Sequence, residues 1–183
     1  MHAFTDQISH SIFLENTPKR IISLVPSQTE LLFDLGLDEQ VVGITKFCVH
    51  PAKWFYPKKR IGGTKRLHID VIHQLQPDLI IANKEENVKE QVEELASHYP
   101  VWTSDITGLS SACEMIEQIG LITGKWEKAK NLISTINEKF AQLPSTNNKP
   151  ATCYLIWNDP YMTIGGDTFI HSMLEAAGFE NIF

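Results

Sequence analysis

A short apolar strand followed at once by the start of a helix is the feature that most constrains how this chain folds. Residues 21–25 (IISLV) are a run of branched apolar residues, the pattern of a strand covered on both faces in a parallel sheet. A proline ends the run, and Ser27 and Glu30 have the spacing of a capping box. A helix is therefore predicted to begin near Gln28 and to end before Gly36. The turn before such a helix directs free backbone amides into the crevice at the carboxyl end of the sheet.

The alternation of strand and helix continues as far as residue 103. Apolar runs predict strands over 41–45, 79–82 and 101–103, and amphipathic patterns predict helices over 69–75 and 86–98, with an aromatic-rich loop over 47–56. Strands and helices that alternate in this way form a parallel sheet with right-handed crossovers. The predicted fold class is therefore α/β, with a Rossmann-like parallel sheet in an N-terminal lobe.

The pattern changes after Gly108, where two helical stripes follow each other. Apolar residues recur at helical spacing over 112–122 and again over 129–143. A helix over 126–143 would be about 27 Å long at the standard rise per residue, enough to run along a small domain. The polar stretch over 144–150 is predicted to be a linker.

The last part of the chain returns to the α/β pattern. We predict a strand over 152–157, a turn-rich loop over 159–166, Asp167 as a helix N-cap, and a helix over 168–177 that ends at Gly178. This final segment is shorter than the roughly 50 residues that an independent domain usually needs.

The predicted domains are an N-terminal extension (1–19), the N-terminal α/β lobe (20–107), a helical segment with a long inter-lobe helix (108–144), and an incomplete C-terminal α/β lobe (150–183). Because the last lobe is so short, we expect either that the chain is a fragment or that another copy of the chain covers the exposed edge of its sheet.

Composition excludes some classes of function. The net charge of -6 argues against general affinity for nucleic acid. The three cysteines are too few and too widely spaced to indicate a disulfide framework or a zinc site. The N-terminus lacks the pattern of a secretory signal, and no run approaches the ~20 apolar residues that span a bilayer. Taken literally, these features favour a cytoplasmic protein; the alternative is that a leader was removed.

Five motifs carry a resemblance to a known family. In chain order they are RIISLVPSQTELLFDLGL, VVGITKFCVHP, IGGTK, IDVIHQLQPDLIIAN and YLIWNDPYMTIGGDTFIHSMLEAAGFENIF. Together they resemble the helical-backbone class of substrate-binding proteins of bacterial ABC importers, and most of all its cobalamin-binding branch. The resemblance implies two α/β lobes joined by a rigid helix, and a periplasmic or cell-surface location.

The resemblance also implies a ligand and a partner. Cobalamin, or alternatively haem or a ferric siderophore, would lie in the cleft between the lobes and be delivered to an ABC permease, with no covalent cofactor. Catalysis is not expected, because the chain has no G-x-S-x-G elbow, P-loop or G-x-G-x-x-G. A cytosolic corrinoid-handling or sensing module is the main alternative, and a small-molecule enzyme is a further one.

The candidate ligand-binding residues follow from the resemblance and from the strand ends. A bulky, flat ligand is held by aromatic faces and a few polar groups. The candidates are Phe47, Trp157, Tyr161, Ser27, Gln28, Gly63 and Asn83. For each aromatic residue the alternative is a role in capping the core at a strand end. Ser27, Gln28 and Gly63 are expected to shape the floor of the cleft through their backbone amides.

Two further residues are candidates for functions other than contact with the ligand. Asp70 matches the carboxylate with which relatives dock onto the permease, and its alternative role is to favour the dipole of a helix start. His50 is a candidate metal ligand, because imidazole binds cobalt or iron and Cys48 lies two residues away. The alternative is that this pair stands alone in a loop without further ligands.

Overall fold

The structure is a computed structural model that describes residues 1–144 and 148–183. These residues form two compact units. Unit 1 contains residues 1–105 and 118–126, and unit 2 contains residues 106–117 and 127–183.

Unit 1 is built around a parallel sheet, so the predicted α/β fold class is confirmed. Its strands are β1 (His2–Thr5), β2 (Ser11–Leu14), β3 (Ile21–Ser23), β4 (Val41–Ile44), β5 (Lys59–Arg60), β6 (Gly62–Gly63), β7 (Arg66–Leu67), β8 (Leu79–Asn83) and β9 (Val101–Ser104), and its helices are α1 (Pro26–Asp34), α2 (Ala52–Phe55), α3 (Ile69–Leu75) and α4 (Lys89–Ala96). The sheet has the order β5-β4-β3-β8-β9, and all its neighbouring strands are parallel. The pairs β1–β2 and β6–β7 are antiparallel.

The two central strands form the core of unit 1. Ile21 and Ile22 in β3 and residues 79–82 in β8 are completely buried. Since both faces of these strands are covered, apolar residues occupy successive positions instead of alternating. This explains why the apolar runs in the sequence predicted the positions of these strands.

The start of α1 differs from the prediction. The helix begins at Pro26, after an N-cap at Val25 that has no side-chain hydrogen bond. Ser27 is exposed, whereas Thr29 Oγ1 donates to the Val25 carbonyl at 3.0 Å. The capping box predicted at Ser27 and Glu30 is therefore wrong. Proline at the first helical position has its backbone angle set for the helix and lacks an amide that would otherwise be unpaired.

The segment between β4 and α3 also contains more structure than predicted. The loop predicted over 47–56 includes the short helix α2, and β5, β6 and β7 follow it. These strands have two residues each, too few to show a periodic pattern in the sequence.

The N-terminal extension is a hairpin whose turn covers the edge of the main sheet. Gln7 N donates to the carbonyl of Thr103 in β9 at 3.1 Å, and Thr103 N donates to Asp6 Oδ2 at 3.2 Å. Asp6 Oδ1 also accepts from the backbone amides of Ile8 and His10. An edge strand whose polar groups are satisfied in this way cannot pair with another chain at these positions.

Unit 2 holds most of the second half of the chain. Its elements are α6 (Trp126–Ala141), β10 (Ala151–Thr152), β11 (Leu155–Asn158), β12 (Tyr161–Thr163), α7 (Phe169–Ala176) and β13 (Glu180–Asn181), and α5 (Leu109–Ile122) contributes to both units. None of the helices in the described residues is long and apolar enough to cross a bilayer.

Four predictions fall in this second part of the chain, and the described residues test three of them. The predicted long helix is present and ends at Ala141, two residues early. The linker predicted over 144–150 includes residues 145–147, which lie outside the described residues. The loop predicted over 159–166 contains β12, which pairs with β11. The N-cap of α7 is Thr168 instead of Asp167, since Thr168 Oγ1 accepts from His171 N at 3.2 Å.

A polar cluster around Asp38 joins the segment that follows α1 to α2. Asp38 Oδ1 accepts from Trp54 Nε1 at 2.8 Å and forms an ion pair with Lys53 Nζ at 2.8 Å. Lys53 Nζ also lies 4.3 Å from the ring centroid of Phe33. The bonds from Lys53 and Trp54 lower the pKa of Asp38, because they favour its charged form.

We expect this cluster to make stability depend on pH. A lowered folded-state pKa gives a contribution that is complete above the ordinary aspartate pKa of 3.8 and is lost as the pH falls through the folded-state value. Asp38→Asn should therefore reduce the free energy of unfolding at pH 6, by less than about 1 kcal/mol because the carboxylate is half exposed, and the deficit should shrink as the pH falls below 3.8. Urea unfolding at pH 6 and at a pH below 3.8 tests this, and a double-mutant cycle with Lys53→Gln should show stronger coupling at pH 6. Additive losses at pH 6 would contradict the assignment.

Candidate functional site

The loops that follow β3, β4, β6 and β8 form the candidate site of unit 1. They enclose a hollow of about 260 Å³ whose lining includes Val25, Pro26, Ser27, Phe47, Thr64 and Glu86. Ser27 and Phe47, two of the predicted ligand-binding residues, therefore lie at the same hollow. The first turn of α1 leaves backbone amides without helical partners there.

Phe47 is exposed, while its neighbours hold its backbone in place. The residue is 52% accessible, whereas Cys48 is completely buried. Cys48 Sγ lies 3.1 Å from the hydroxyl oxygens of both Thr29 and Thr45. Lys46 N donates to the Gly62 carbonyl at 2.8 Å, and Lys46 Nζ lies 5.0 Å from the Phe47 ring centroid. The aromatic ring is therefore presented to solvent from a fixed loop.

Gly63 lies against the Phe47 ring. A Cβ added at Gly63 would lie 3.0 Å from Phe47 Cε2 and 3.3 Å from Lys46 Cε, which is closer than ordinary van der Waals contact. The absence of a side chain at this position is thus what allows the ring to lie over the β6 backbone.

Gln28 and Asn83 are brought together by a serine that the sequence did not single out. Gln28 is 1% exposed, and its Nε2 donates to Ser104 Oγ at 2.5 Å and to the Ala82 carbonyl at 3.1 Å. Asn83 Nδ2 donates to the same Ser104 Oγ at 3.0 Å. The Gln28 side chain therefore joins α1 to the ends of β8 and β9 from the interior, and does not present its amide to solvent.

Asn87 connects three loops of the site, and it was also not among the residues predicted from the sequence. Its Oδ1 accepts from Asn83 N at 2.9 Å, and its Nδ2 donates to the Thr64 carbonyl at 3.1 Å and lies 3.5 Å from the Leu24 carbonyl. The residue is 6% exposed. Its position four residues after a buried strand was the available signal, because asparagine often bonds local backbone there.

In unit 2, Trp157 and Tyr161 lie on the hairpin formed by β11 and β12. They are 63% and 74% exposed, and Trp157 Nε1 donates to the Asp159 carbonyl at 3.0 Å. Trp157 pairs with Met162, and Asn158 pairs with Tyr161. Paired residues share a face while successive residues alternate, so Trp157 and Tyr161 lie on opposite faces of the hairpin. The structure therefore does not place both aromatic residues on one surface.

Asp70 and His50 have different surroundings. Asp70 is exposed in the first turn of α3, and its carboxylate forms no ion pair within the described chain. His50 is exposed, whereas Cys48 is buried among threonines. No group of three or more His, Cys, Asp or Glu residues in the described residues could hold a metal ion. The structure thus does not assemble the metal-ligand set considered for His50.

A comparison with protein families gives one match over most of the chain. The family described as periplasmic binding protein matches residues 21–183. A curated relative, the vitamin B12-binding protein of Photorhabdus laumondii, is 27% identical over 186 residues, which cover 98% of this chain and 66% of the relative. The chain thus spans less than two thirds of the length of this relative, and it spans 59% of a substrate-binding lipoprotein of Bacillus subtilis that is 26% identical to it.

Solved structures with the same fold include proteins for other ligands. The periplasmic heme-binding protein RhuT of Roseiflexus sp. RS-1 superposes with a TM-score of 0.75 at 26% identity, covering 89% of this chain and 65% of that one. The siderophore-binding protein BauB superposes with a TM-score of 0.84 over 98% of this chain and 67% of its own. At 18% identity, the second likeness concerns the fold alone.

Proposed function

Because the chain belongs to the periplasmic binding protein family, we propose that it is the substrate-binding component of an ABC importer, and that its ligand is cobalamin or a related metal chelate. In this role the protein works outside the cytoplasm and delivers the chelate to a membrane permease. The ligand class rests on the relatives, whose names include vitamin B12-binding, heme-binding and siderophore-binding proteins.

The exposed ring of Phe47 is the observation that carries the proposal within this chain. The Phe47 ring is half-exposed at the hollow, beside the first turn of α1 and Thr64. A flat macrocycle or an aromatic chelate can stack on such a ring, while the first amides of α1 and the Thr64 region contact its polar edge. Trp157 supplies a comparable exposed aromatic face in unit 2.

Asp70 supports the transport part of the proposal. Its carboxylate is exposed and has no ion-pair partner in the described chain, so it is available to a cationic group of the permease. A charge of this kind at a rim chiefly sets the association rate and the register of docking.

We expect purified protein to bind one of three coloured chelates saturably, namely cyanocobalamin, haemin or a ferric siderophore. Phe47→Ala should weaken that binding by about tenfold, because aromatic contacts of this kind contribute about 0.5–1.5 kcal/mol beyond the area that they bury. Visible-absorbance titration measures both effects.

Phe13→Ala is the matched control. Phe13 is also an exposed phenylalanine, 57% accessible, but it lies on β2 away from the hollow, so this variant should bind as the parent does. Equal losses in both variants would remove Phe47 from the site, and flat titrations with all three chelates would exclude the ligand class.

A further inference from the structure

The basic residues of this chain are concentrated in one segment. Residues 40–69 contain seven of the sixteen Lys and Arg residues and no Asp or Glu. The rest of the chain contains nine basic residues against 22 acidic ones. An acidic protein thus carries one strongly basic segment, and that segment contains Phe47 and Gly63.

Two of the seven basic side chains bond to another residue of the protein. Lys53 forms an ion pair with Asp38, and Lys58 Nζ donates to the Asp38 carbonyl. The other five have no carboxylate partner among the described residues; they are Lys46, Lys59, Arg60, Lys65 and Arg66. Four of these five line one cavity of about 1090 Å³ in unit 1, and Lys59 does not.

Arg60 is the most unusual of the four. Its Cζ lies 4.3 Å from the ring centroid of Phe55, and both terminal nitrogens are buried without a hydrogen-bond partner in the described chain. The contact with Phe55 offsets only part of the desolvation cost of a buried guanidinium, because no anion and no hydrogen-bond acceptor pairs with the terminal nitrogens in the described chain. A carboxylate or phosphate is the natural partner, because its two oxygens match the two donors of the guanidinium.

The other lining residues add to the positive field. Lys65 Nζ donates to the carbonyl of Glu85 at 2.6 Å, and Arg66 is exposed. Asp70 is the single acidic residue of the lining. The cavity therefore has an excess of three positive charges, and a concave wall with a net positive charge concentrates anions.

We propose, on the basis of the proposed function, that this cavity receives free carboxylate groups of the chelate, so that the protein prefers a chelate with a net negative charge to one without net charge. The cavity and the hollow beside α1 share Phe47 and Thr64. A ligand stacked on the Phe47 ring therefore extends its charged arms past Thr64 towards Arg60, Lys65 and Arg66.

The test compares two chelates and two variants. Haemin carries two carboxylates and cyanocobalamin has no net charge. Haemin should bind more tightly than cyanocobalamin, and its dissociation constant should rise as NaCl increases from 50 to 300 mM. The double variant Arg60→Gln, Arg66→Gln should bind haemin at least about tenfold more weakly, since two charge-assisted bonds are lost. Lys59→Gln removes a charge from the same segment but not from the cavity, and it should bind haemin as the parent does.

A second measurement uses metal-free citrate. Citrate should raise the melting temperature of the parent and of Lys59→Gln but not that of the double variant. Arg60→Gln alone should melt no lower than the parent, because it removes an unpaired buried charge.

The outcomes separate the two proposals. If cyanocobalamin binds as tightly as haemin and the double variant binds both normally, the cavity is not an anion site, while the proposed function stands. If neither chelate binds but citrate still stabilises the parent through Arg60 and Arg66, the anion site stands and the proposed function fails. If neither chelate binds and citrate has no effect, both proposals fail.

Discussion

Gly62→Ala is expected to lower the free energy of unfolding of unit 1 by about 3 kcal/mol, because the new side chain meets both backbone strain and a steric clash. Gly62 has a φ angle of +101°, in the left-handed region that L-residues rarely adopt. An added Cβ would overlap the carbonyl oxygen of Arg66, which is a backbone atom in the paired strand β7 and cannot rotate away. Thermal melting followed by circular dichroism should show a decrease of about 6 to 12 °C.

Gly166→Ala provides the matched control for this prediction. An added Cβ at Gly166 would meet its nearest neighbour, His171 Cε1, at 3.9 Å, which is an ordinary contact. The control should therefore melt within about 2 °C of the parent, consistent with the small effects of unstrained surface substitutions. If both variants melt alike, the strain assigned to Gly62 is wrong.

Asn87→Ala is expected to lower the free energy of unfolding by about 2 to 3 kcal/mol, since it leaves buried backbone groups without partners. The amide of Asn83 and the carbonyl of Thr64 both lose their side-chain bond. Because Thr64 lines the hollow beside Phe47, the same variant should also weaken chelate binding. Urea unfolding and visible-absorbance titration measure the two effects.

Two companion variants show which bonds matter. Asn87→Asp keeps the oxygen that accepts from Asn83 N but loses the donor to Thr64, so it should reveal how much of the binding loss comes from the Thr64 loop. Asn16→Ala changes an exposed asparagine and should leave both properties unchanged. An Asn87→Ala protein as stable as the parent would show that water replaces these bonds.

The parallel sheet could be predicted from the sequence because its buried strands are short stretches of mostly apolar residues, which are visible locally. The buried strands β3 and β8 are mostly apolar, with a single polar residue at the end of each, and α3 begins and ends at the predicted residues. The predicted start of α1 was wrong, because two local patterns in the sequence each suggest a different first residue for the helix. Ser27 has the correct spacing for a cap, but Pro26 was already suited to begin the helix. The strand β12 was missed because its residues stand among turn-forming residues and gain their order from pairing with β11.

The candidate site was predictable only in part, because contacts between distant residues leave no local pattern. Phe47 and Ser27 were predicted separately, and the structure places both at one hollow. Ser104 and Asn87 were missed, since their roles depend on partners that lie 76 and 23 positions away, Gln28 and Thr64 respectively. Gln28 was chosen for its position beside a helix start, yet that position turns its side chain inward.

The bond between Thr103 and Asp6 joins residues 97 positions apart. During translation the chain emerges from the N-terminus, so the hairpin that contains Asp6 leaves the ribosome long before its partner strand is made. Contacts between such distant residues form only after a large loop closes, and they slow the completion of a fold. The residues of this hairpin thus wait for β9, and the nascent protein exposes an open sheet edge until that strand arrives.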